Sequence, residues 1–72
     1  MLSVIVLVYD EITALTFEDE FHIQVTFKGH GAYRITNISN NREAFNSLKK
    51  MHVGQKVSVG IERGKLVEVN PE

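Results

Sequence analysis

The sequence predicts a mainly-β fold: a small five-stranded barrel with one helix between the third and fourth strands. Three observations carry this. Apolar runs that alternate or are rich in β-branched residues recur five times, each closed by a polar or glycine break. One segment, residues 41–51, instead places its apolar residues at helical spacing. The 72 residues leave room for a single domain, residues 1–72, with one small core.

The elements follow in order. "MLSVIVLVY" is apolar, and Val4, Ile5, Val6 and Val8 are β-branched, which favours a strand. It is too short to span a membrane as a helix. It also lacks the positive flank and the small-residue cleavage site of a secretory signal, so the expected location is cytoplasmic and no membrane is expected as a partner. "ITALTF" continues this strand past Asp10-Glu11, which reads either as a bulge or as a turn. "EDE" is a turn. "FHIQVTF" alternates, with Phe21, Ile23, Val25 and Phe27 on the core side and His22, Gln24 and Thr26 outside. After "KGHG", "AYRITNI" sets Tyr33 and Ile35 against Arg34 and Thr36.

A helix is expected from Asn41 to Met51. Asn40 can cap it, with Glu43 three residues on as in a capping box. Ala44, Phe45, Leu48 and Met51 form the apolar stripe, while Arg42, Asn46, Lys49 and Lys50 lie opposite. Lys49 and Lys50 would complement the dipole of the last turn, and Gly54 is a stop. "MHVGQKVSVGIERGKLVEV" then supplies Val57, Val59 and Ile61, a turn at Arg63-Gly64, and Leu66, Val67 and Val69. The expected core includes Phe45, Leu48, Val57, Val59, Ile23 and Val25.

This order of elements resembles the OB-fold, a five-stranded Greek-key barrel. The long, bent first strand and "VGQKVSVGI" leading into the fourth strand carry the resemblance. It implies a barrel closed by the last hairpin, with the helix plugging one end. An SH3-like barrel is the alternative. No family motif is matched, so no functional residue follows from the resemblance.

Charge and chemistry narrow the function. Residues 1–27 hold five acidic side chains and no Lys or Arg, whereas residues 28–72 hold eight basic against four acidic. Interleaved strands of a small barrel would mix these charges. His22, His30 and His52 lack ligand spacing, and there is no cysteine for a thiolate site, so no metal and no cofactor is expected. Ser3, Ser39, Ser47 and Ser58 stand beside no oriented base. "GHG" is too short for a phosphate-cradling loop, and Glu18, Asp19 and Glu20 cannot all converge on one cation. "NIS" at Asn37 is a chance acceptor pattern in a chain without a signal. The expectation is a protein without catalytic residues.

Two binding functions remain. The first is a protein-interaction module (a small subunit, adaptor or inhibitor), acting on a protein partner or on itself. The first strand is apolar on both faces, and Val4, Val6 and Val8 are the candidate interface. The alternative is single-stranded nucleic-acid binding, which the OB resemblance implies, on a face holding His22, Gln24, Arg34, Arg63 and Lys65. Against it stand the acidic first loop and aromatics that fall on the core side.

Overall fold

The computed structural model describes residues 4–38 and 41–72. β1 spans Val6–Phe17, β2 His22–Phe27 and β3 Gly31–Thr36. The helix α1 spans Arg42–Leu48, β4 Lys56–Glu62 and β5 Lys65–Pro71. The strands form one antiparallel sheet in the order β3-β2-β1-β4-β5. β1 is central because it is long enough for two partners. Its residues 6–11 pair with β4, and its residues 12–17 pair with β2.

β1 is continuous through Asp10-Glu11. The irregularity lies just beyond, where Ile12 pairs with Phe27 but Ala14 pairs with Thr26. Thr13 is the extra residue, and its hydroxyl donates to the Thr26 carbonyl at 3.1 Å. Packing explains this bulge. Val8 and Ile12 belong to one alternating set, Leu15 and Phe17 to the other. Ile12 is fully buried, and Val8 and Leu15 both pack on the core. An inserted residue is what turns both sets to one side of the sheet. β5 uses the same device. Gly60 pairs with Glu68 and Ile61 with Leu66, so Val67 is extra, and Leu66 and Val69, three apart, are both buried.

The core gathers Ile12, Ile23, Val25, Phe27 and Ile35 from one half of the sheet and Val57, Val59, Leu66 and Val69 from the other. Ala44, Phe45, Leu48 and Met51 cover them from the helix segment. All six expected core residues are buried. Tyr33 is half-buried, its ring 5.9 Å from that of Phe27. Phe21 departs from expectation. It precedes β2 instead of belonging to it, and is 58% exposed.

The helix is shorter than its pattern suggests. Its N-cap residue is Asn41, whose side chain makes no capping bond and instead donates through Nδ2 to the Leu66 carbonyl at 2.8 Å. The expected cap, Asn40, lies outside the described residues. Lys49 is the C-cap residue and Lys50 follows it, so neither stands in the last turn. The Lys49 ammonium instead lies 5.9 Å over the Phe45 ring. Gly54, at φ +92°, turns the chain back, and its N–H donates to the Ile12 carbonyl at 2.8 Å.

β3 and β5 are the two ends of the sheet. No ladder joins them among the described residues. The Asn41–Leu66 bond and the packing of α1 on β5 and β3 bridge this seam.

Candidate interaction surface

The first half of β1, and residues 4 and 5 that lead into it, run past the core. Val4 is 71% exposed, Ile5 47%, Val6 54%, Leu7 62% and Tyr9 78%. Alternation divides them. Val4 and Val6 continue the core-facing row of Val8 and Ile12, but beyond the point where the helix and β5 can cover them. Ile5, Leu7 and Tyr9 lie on the outer face. There Gly60 sits opposite Leu7, and a Cβ at Gly60 would stand 2.5 Å from Cγ of Glu68 and 3.1 Å from Cγ2 of Ile5. The missing side chain is what lets Ile5 settle against β4.

Of the three valines singled out from the sequence, Val4 and Val6 are exposed, and Val8 is half-buried against the core. Ile5, Leu7 and Tyr9 are the members that alternation alone did not supply. The residue type of each was visible, but an apolar strand residue is exposed only if nothing covers its face, and that is a tertiary fact.

One edge of this half-strand is also open. Residues 6–11 pair with β4 along one edge, and among the described residues no strand pairs along the other. The opening ends at the β2–β3 turn, where the Lys28 N–H donates to the Glu11 carbonyl at 2.9 Å. Asp10 anchors that turn. Its carboxylate, on a side chain only 5% exposed, accepts from its neighbour Glu11 N–H at 2.7 Å and from Gly29 N–H at 3.0 and 3.1 Å, and it also pairs with His30 Nδ1. Burial raises the Asp10 pKa, but the bonds from His30, Glu11 and Gly29 together outweigh it and hold the carboxyl below its ordinary value. A polar residue in an otherwise apolar inward row was the sequence signal for such an anchor.

The face for the nucleic-acid alternative is assembled only in part. Gln24 and Arg34 stand opposite each other on β2 and β3. Arg34 Nε donates to Glu18 at 2.7 Å, and His22 Nδ1 lies 2.9 Å from Asp19. The acidic first loop therefore folds over the cationic and imidazole groups of that face. The backbone N–H of Phe21, and then His22, lower the Asp19 pKa. Arg63 and Lys65 sit at the β4–β5 turn, where Lys65 lines a shallow groove along the seam with Arg34 and Asn41. Phe21, expected on the core side, is 58% exposed, and Phe17, on the other side of the acidic loop, is 53% exposed.

The histidines stay apart. His22 takes Asp19, His30 takes Asp10, and His52 lies against the Val53 carbonyl at 3.1 Å. Among the described residues no helix is long and apolar enough to cross a membrane, and no group of three or more acidic or imidazole side chains could hold a metal ion. No protein-family model, curated protein or solved structure matches the chain.

Proposed function

We propose that the protein is a non-catalytic interaction module of the cytoplasm that binds a protein partner through the first half of β1. One observation carries this reading: five apolar side chains, from Val4 to Tyr9, stand half to three-quarters exposed on the first half of β1 and the two residues before it, and that half of β1 has an open edge. Solitary exposed apolar residues are ordinary, but a cluster of this size marks an association surface. An edge with no Lys or Pro to guard it offers its backbone to an incoming strand.

The test compares the full chain with Leu7→Lys. Leu7 is exposed, so the change should leave the fold intact. Complexes are isolated from cells of origin, and the purified chain is sedimented with and without a single-stranded oligonucleotide at physiological salt. The reading expects a mass above the monomer, from self- or partner-association, that depends on Leu7 and not on the oligonucleotide. It fails if the wild type is a monomer that recovers no partner, or if Leu7→Lys recovers the same partners. Oligonucleotide binding that weakens steeply with salt would put the nucleic-acid function in its place.

A further inference from the structure

We draw no further inference here: the strongest candidate, the exposed apolar patch on the first half of β1 beside its open edge, belongs to the surface already described, and nothing in the structure shows what covers it.

Discussion

Replacing Asp10 by Asn tests whether one carboxylate holds the β2–β3 turn to β1. The change keeps the shape and one acceptor oxygen, but removes the charge and turns the other oxygen into a donor. Three groups face that carboxylate: Glu11 N–H, Gly29 N–H and His30 Nδ1. A donor placed against Gly29 N–H or a protonated His30 has no acceptor to meet. Hydrogen bonds to a charged group are worth about 1.5–3 kcal/mol each, and neutral ones about 1. The turn is open to water, so the loss should amount to about 2 kcal/mol overall. For 72 residues the whole stability is roughly 4–11 kcal/mol, so the deficit is a large share of it. In a melt it corresponds to a fall of roughly 8–16 °C in Tm. The pH dependence gives an independent check. The Asp10 pKa is lowered in the folded state, so its contribution is complete above the unfolded-state value of about 4. It is lost as pH falls through the lower folded-state value, because the folded chain must then accept a proton it resists. Urea titrations of wild type and Asp10→Asn should therefore differ most at neutral pH and converge in acid. A constant difference down to the lowest pH, or no difference at pH 7, would refute the assignment of this carboxylate as an ionised anchor.

Three further outcomes follow from the fold. Phe45 is buried in the core beneath α1, so Phe45→Ala should cost about 3–5 kcal/mol in a denaturant titration; unchanged stability would mean the helix faces another way. Gly64 sits at φ +76° beside Arg63 at φ 52° in the two-residue β4–β5 turn, so Gly64→Ala should cost about 1–2 kcal/mol, and an unmoved midpoint would contradict that conformation. Deleting Thr13 removes the bulge and forces either Ile12 or Leu15 out of the core. The expected loss is about 2–5 kcal/mol by thermal melt, and a variant as stable as wild type would show that the register tolerates a slip.

The order of elements was legible in the sequence because its signals are local. Glycines close the turns, and alternation or helical spacing fills the stretches between them. What escaped depended on which face met the core. Ile12 and Leu15 have opposite parity, and only a shared core shows that both must point inward, so the bulge falls at Thr13 and not at the more conspicuous Asp10-Glu11. Asn41, read from the sequence as the first residue of the helix, is its N-cap residue, and its amide is spent on the Leu66 carbonyl across the seam, a partner 25 residues away. Phe21 continues the alternation of β2 in sequence but lies one residue outside the strand, where the core has ended.

The same reasoning bears on the interaction surface. Periodicity reports that a strand has two apolar faces, but it cannot report how far the core extends along that strand. In this fold the helix packs chiefly on β5, and the bulges of β1 and β5 gather the buried rows around Ile12 and Val59. Everything before Val8 projects past that cluster. A marginally stable domain that leaves this apolar surface in water forgoes about 25 cal/mol for each Å², and an open strand edge adds unpaired backbone to the deficit. Association at β1 would recover both terms at once, and covering by the helix could recover only the first. The apolar strand that is excess in the isolated sheet would be proportionate in an associated one.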